Sequence, residues 1–151
     1  MTCTTRTTVK ASDSELAVIT KARDLAGYVL NAVLKTPKIF RFTLASRLQN
    51  LALDVLEQLI RANEIYIGAE NGKTMTAEKA AETRRRIAKR AEHQQEARCA
   101  LKLLCNIAVI AKEHGAITAK QLEQITKQSS ETMALAVRWE QSDTKRFEKY
   151  K

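Results

Sequence analysis

Apolar residues recur at helical spacing through most of this chain, and the stretches between those runs are few and polar. Val18, Ala22, Leu25, Val29 and Val33 mark one face of a first helix, widened by Leu16, Ile19, Ala26 and Leu30. It is expected to begin near Ser14, with Ser12 and Glu15 spaced as a capping box, and to stop before Pro37, because the residue ahead of a proline is pushed out of the helical region. A second helix is expected from Thr43 to Ile67, ended by Gly68 and the Asn71-Gly72 turn signal. It carries two apolar stripes: Leu44, Leu48, Leu51, Val55 and Leu59 form one, and Leu53, Leu56 and Ile60 lie beside it. One neighbour covers one stripe, so this helix is expected to pack on its own domain and on another subunit.

From Thr76 to His114 there is neither Gly nor Pro, which predicts one helix about 58 Å long, against about 37 Å for the second. Its apolar positions fall late, at Ala97, Ala100, Leu101, Leu103, Leu104, Ile107, Ala108, Ile110 and Ala111. The first half is polar nearly all round and is expected to overhang the bundle or fray. Gly115 is placed to end this helix, and Thr118 with Gln121 forms a capping box for a fourth, whose buried side is Leu122, Ile125, Met133, Leu135, Ala136 and Trp139. Residues 1–13 and 143–151 read as polar tails, the second with Phe147 and Tyr150 as docking points. The expectation is a single all-α domain over residues 14–142, an antiparallel four-helix bundle. Only four Gly and one Pro leave few sharp turns, in keeping with that class.

Charge adds a partner. The chain has 26 Lys and Arg against 17 Asp and Glu, a net charge of +9, which favours polyanions through attraction and counterion release. Nucleic acid is preferred to membrane, since no apolar run approaches the ~20 residues that span a bilayer. The polar start Met1-Thr2-Cys3-Thr4 lacks the apolar segment of a signal peptide, so the expected location is cytoplasmic. Cys3, Cys99 and Cys105 have neither disulfide nor zinc spacing and are expected as reduced packing residues. No nucleophile motif, phosphate loop or paired Glu-x-x-His set is present, and the chain is expected to have no catalytic activity, metal or cofactor.

The densest charge lies between Lys73 and Arg90, where Lys73, Lys79, Arg84, Arg85, Arg86, Lys89 and Arg90 face only Glu78 and Glu82. On a helix, Arg86 and Arg90 share a face, as do Arg85 and Lys89, so guanidinium groups can grip phosphates along a ridge; the plainer reading is a solvated helix face. Lys38, Arg41 and Arg47 form a second patch with Lys35, either for RNA or for ion pairs with Asp54 or Glu57. Lys145 and Arg146, with Arg138, Lys149 and Lys151, form a third, diluted by Glu140, Asp143 and Glu148. Phe40 and Phe42 beside Lys38 and Arg41 invite base stacking, although aromatics are scarce here and core packing is the expectation for both.

The run Pro37-Lys38-Ile39-Phe40-Arg41-Phe42 into Ser46-Arg47-Leu48-Gln49-Asn50-Leu51-Ala52-Leu53-Asp54, then Arg61-Ala62-Asn63-Glu64, belongs to a longer pattern. It continues through Ala100-Leu101-Lys102-Leu103-Leu104, Ile117 to Lys127, and Trp139 followed by Ser142-Asp143-Thr144-Lys145-Arg146-Phe147. This pattern resembles the small bacterial four-helix-bundle proteins that include the accessory variability determinant (Avd) of diversity-generating retroelements. Related bundles are encoded in intervening sequences of large-subunit ribosomal RNA genes. The resemblance implies a homopentameric barrel that binds the retroelement reverse transcriptase and its template RNA and supports mutagenic cDNA synthesis. The alternatives are an intervening-sequence type of RNA-binding bundle without a polymerase partner, and a structural oligomer whose charge serves solubility.

Overall fold

The computed structural model describes residues 11–68 and 75–151, with side chains from Ala17 onward. The side chains of Ser12 and Glu15, the Asn71-Gly72 turn, Lys73 and Cys3 lie outside the described residues. Four α-helices make up the fold: α1 (Ala11–Ala32), α2 (Ser46–Glu64), α3 (Ala77–Glu113) and α4 (Ala119–Arg146), with no strand among the described residues. No helix among them is long and apolar enough to cross a membrane.

Each helix packs on two neighbours, in the cyclic order α1, α2, α3, α4. Cross-helix contacts give the directions. Lys21 meets Glu131 and Gln121 donates to the Ala32 carbonyl, so α1 and α4 run antiparallel. Arg98 meets Glu140 while Arg90 meets Asp143, which sets α3 against α4. His93 Nδ1 lies 2.7 Å from Gln58 Oε1 and Arg90 reaches the Ala62 carbonyl, which sets α2 against α3. The bundle is therefore antiparallel throughout. His93 thus bridges α2 and α3.

One apolar core runs the length of the bundle, with Leu25, Leu48, Leu59, Leu101, Leu104, Ile125 and Trp139 fully buried. The two stripes of α2 separate as their spacing requires. Leu48, Leu51, Val55 and Leu59 are buried, whereas Leu53 and Ile60 remain 43% and 41% exposed. On α3, Leu103, Val109 and Ile110 are also exposed.

The helix ends show what the chain does locally. Between α1 and α2 the chain makes a 3₁₀ turn at Lys38–Phe40 and a π-helical turn at Arg41–Ala45 that leads straight into α2. Ser46 Oγ donates to the Arg41 carbonyl at 2.9 Å, and Thr36 Oγ1 donates to the Ala116 carbonyl at 3.0 Å, tying this corner to the α3–α4 connection. Phe40 packs on the core, but Phe42 is 86% exposed, which corrects the expectation that both are core residues.

α2 stops at Glu64, three residues short of Ile67, because Ile65 turns to extended backbone. The Arg90 guanidinium takes up the carbonyls of Ala62 and Ile65 there. Thr76 caps α3 by accepting from the Lys79 amide, and Gly115 leaves it at φ +77°, a conformation suited to glycine. Thr118 and Gln121 form both bonds of the capping box at the start of α4.

α4 continues past residue 142 to Arg146, and a 3₁₀ turn at Glu148–Tyr150 follows. Phe147 and Tyr150 are both buried. Residues 143–151 are therefore part of the packed domain rather than a separate tail, held by the inward side chains of Asp143, Phe147 and Tyr150. Cys99 is exposed and Cys105 half-buried, so neither is the buried packing residue expected.

Candidate nucleic-acid interface

α3 is much longer than its partner. At the standard rise it spans about 56 Å against about 28 Å for α2, and Arg90 lies level with Ala62 near the end of α2. Roughly the first three turns of α3 thus project past α2. This is the polar half expected to overhang or fray; it is helical and capped from Ala77 onward. Arg84, Arg85 and Arg86 sit on this projecting segment and Lys89 at its base, all exposed.

Glu82 bridges Arg85 at 3.3 Å and Arg86 at 3.4 Å, and Lys89 meets Glu92 at 3.0 Å. Exposed pairs of this kind contribute about 0–1 kcal/mol, so an incoming phosphate can displace them. Arg84 has no acidic partner among the described residues.

Arg90 belongs elsewhere, which corrects its assignment to the phosphate-gripping ridge. It is 4% exposed, and its Nε and Nη2 donate to Asp143 Oδ2 and Oδ1 at 2.6 and 3.2 Å. Its guanidinium carbon lies 4.9 Å from the centre of the Trp139 ring. Gln94 donates to Asp143 Oδ2 at 2.8 Å and Arg146 to Oδ1 at 2.9 Å, so both carboxylate oxygens are shared. This buried network joins α2, α3 and α4. The two arginines on the Asp143 carboxylate leave one positive charge facing outward at Arg146, which is 40% exposed and stacks on Phe147 at 4.7 Å.

The three patches do not form one surface. Lys145 is exposed and Arg146 partly so, at the end of the bundle where α3 projects; Tyr150 Oη donates to the Gly68 carbonyl there at 2.9 Å. Lys38, Arg41 and Arg47 are exposed at the other end, about 28 Å away along α2. They make no ion pair among the described residues, and Glu57 is taken by Arg61 at 2.7 Å. The structure thus groups Arg84, Arg85, Arg86 and Lys89 with Lys145 and Arg146, and sets Lys38, Arg41 and Arg47 apart.

Neither a protein-family match nor a match to a curated protein is found for this sequence. Geometry and charge carry the functional argument. The projecting end offers a row of exposed guanidinium and ammonium groups on one capped helix, suited to a phosphate backbone. The other end mixes Lys38 and Arg41 with the exposed apolar side chains Leu34, Ile39 and Phe42, a combination suited to a protein surface.

Sequence reasoning missed two features of the projecting end. One is the Arg90–Asp143 pair, which closes it. The other is Tyr66, 74% exposed just beyond α2, whose carbonyl accepts from Arg86 Nη1 at 3.2 Å.

Proposed function

We propose that this chain is a non-catalytic RNA-binding adaptor of the Avd kind, which assembles with copies of itself and brings template RNA to a retroelement reverse transcriptase. The observation that carries the reading is the projecting basic end of α3, where Arg84, Arg85, Arg86 and Lys89 stand exposed on a capped helix. A solvated face would serve equally well with its charges mixed; here the cations outnumber Glu78 and Glu82. Self-assembly is supported by Leu53 and Ile60 on α2 and by Leu103, Val109 and Ile110 on α3, all partly exposed in the single chain. The sequence pattern from Pro37 through Phe147 supplies the retroelement context and the pentameric barrel.

Replacing Arg84, Arg85 and Arg86 together with Gln tests the RNA part. RNA affinity is expected to fall, and the slope of log K against log salt to become shallower by about two to three, near one per lost phosphate contact. Helix content by circular dichroism should not change, since all three side chains are exposed and the one tertiary bond lost, from Arg86 to the Tyr66 carbonyl, lies outside the helices. An unchanged slope would put the RNA contact elsewhere.

The assembly part has its own test. A charge placed at the centre of an apolar contact and left unpaired there costs several kcal/mol. Leu53→Glu with Ile60→Glu is therefore expected to convert the assembled species to a folded monomer in sedimentation. An assembly that survives both substitutions would move the interface off this face of α2.

A further inference from the structure

Tyr66 combines an exposed ring with a fixed backbone. The Ile65 carbonyl accepts from Arg90 Nη1 at 3.4 Å, the Tyr66 carbonyl from Arg86 Nη1 at 3.2 Å, and the Gly68 carbonyl from Tyr150 Oη at 2.9 Å. An aromatic on a loose loop can fold onto the nearest apolar surface. The backbone that carries this ring, 74% exposed, is bonded from α3 and from the C-terminal turn. The backbone share of the ordering cost is met before any ligand arrives.

The ring also has charged grooves on its flanks. One, of about 570 Å³, runs between Tyr66 and α3 past Arg85, Arg86 and Lys89, with Glu64 and Glu82 at its edge. Another, of about 330 Å³, leads from Tyr66 to Arg146 and Lys149. Asp143 offsets Arg90 and shares Arg146, so the positive charge around the ring exceeds the two glutamates. Phe42 also has exposed cations beside it, Lys38 and Arg41, but it shares that end with the strongly exposed apolar side chains Leu34 and Ile39. A π-face flanked by cations matches an unpaired nucleotide, which presents a flat base beside a phosphate.

We propose that Tyr66 is a stacking platform for an unpaired base of RNA, with the adjoining phosphates held by Arg85, Arg86 and Lys89. The inference rests on the RNA-binding reading and adds that the favoured form is single-stranded. A duplex keeps its bases stacked on one another and cannot use the ring.

The test compares wild type, Tyr66→Ala and Tyr66→Trp by fluorescence anisotropy, with a labelled short oligouridine and a labelled blunt RNA duplex of the same length. Tyr66→Ala is expected to weaken oligouridine binding by about 5- to 150-fold, the range for loss of one stacked base, and to leave duplex binding unchanged. Tyr66→Trp should retain single-strand affinity. The ring is exposed, so the melting temperature should not move in either variant. Equal losses on both probes, or no loss on either, would overturn the stacking role while leaving RNA binding in place. A Tyr66→Ala variant that keeps its RNA affinity but no longer associates with the reverse transcriptase would make the ring a protein anchor and overturn the proposal. Wild-type protein that binds neither probe would overturn the RNA reading itself.

Discussion

Raising the salt from 50 to 200 mM should lower the affinity of this protein for RNA by about 10³- to 10⁵-fold. The range follows from six to ten phosphate contacts, each of which releases condensed counterions on binding and recovers them at higher salt. Five side chains at the projecting end, Arg84, Arg85, Arg86, Lys89 and Lys145, are exposed in each copy. Two copies along one RNA reach the upper limit. Filter binding or anisotropy over a salt series reads the slope directly. A flat response would remove the electrostatic mechanism. The separation of the two basic ends matters here. An RNA short enough to contact the projecting end only should show part of the slope, and Lys38, Arg41 and Arg47 should add to it only with a longer RNA or an assembled ring.

Replacement of Asp143 with Ala is the largest stability effect expected. The carboxylate is 6% exposed and meets Arg90, Gln94 and Arg146; without it the Arg90 guanidinium stays buried with no counter-charge. Breaking a buried pair from one side costs about 3–5 kcal/mol. For a domain of this size that corresponds to a melting temperature lower by roughly 6–20 °C. The loss also reaches function, since Arg90 caps the end of α2 and fixes the segment that carries Tyr66. Replacing both partners, Arg90→Met with Asp143→Leu, should recover much of the stability, because an apolar pair leaves no charge to solvate. Thermal unfolding of the single and double variants decides the matter. A single variant that melts with wild type would mean that water reaches the guanidinium and that the pair is not a closed core feature.

The helices and their stops were legible because each depends on neighbours in the chain. The span from Thr76 to His114, the glycine at 115 and the Thr118–Gln121 box are local signals, and the structure has them with small shifts. Arg90 was not legible as a core residue because its partner is 53 residues away and its neighbours are cations. A signal existed: the buried positions Leu104, Leu101, Ala97 and Gln94 of α3, followed backward at helical spacing, arrive at Arg90. On α4 the buried series Ala136, Trp139 and Asp143 does the same.

Phe42 escaped for a different reason. Its core expectation rests on the scarcity of aromatics, whereas the 3₁₀ turn at Lys38–Phe40 and the π-helical turn at Arg41–Ala45 leave Phe40 on the core and Phe42 outside. Tyr66 lies past the last helical residue of α2, where no period applies, and only the bonds that pin its backbone mark it out. The second stripe of α2 was readable from spacing, but spacing says nothing of how many copies would cover it.

The most direct measurement is native mass spectrometry of the tagged protein recovered from its own host, which weighs the assembly with whatever it holds. The account predicts a closed assembly of several copies, five in the pentameric form, carrying RNA and a reverse transcriptase. A bare monomer or dimer without nucleic acid would contradict it, and would leave the antiparallel bundle as a fold whose basic end serves some other partner.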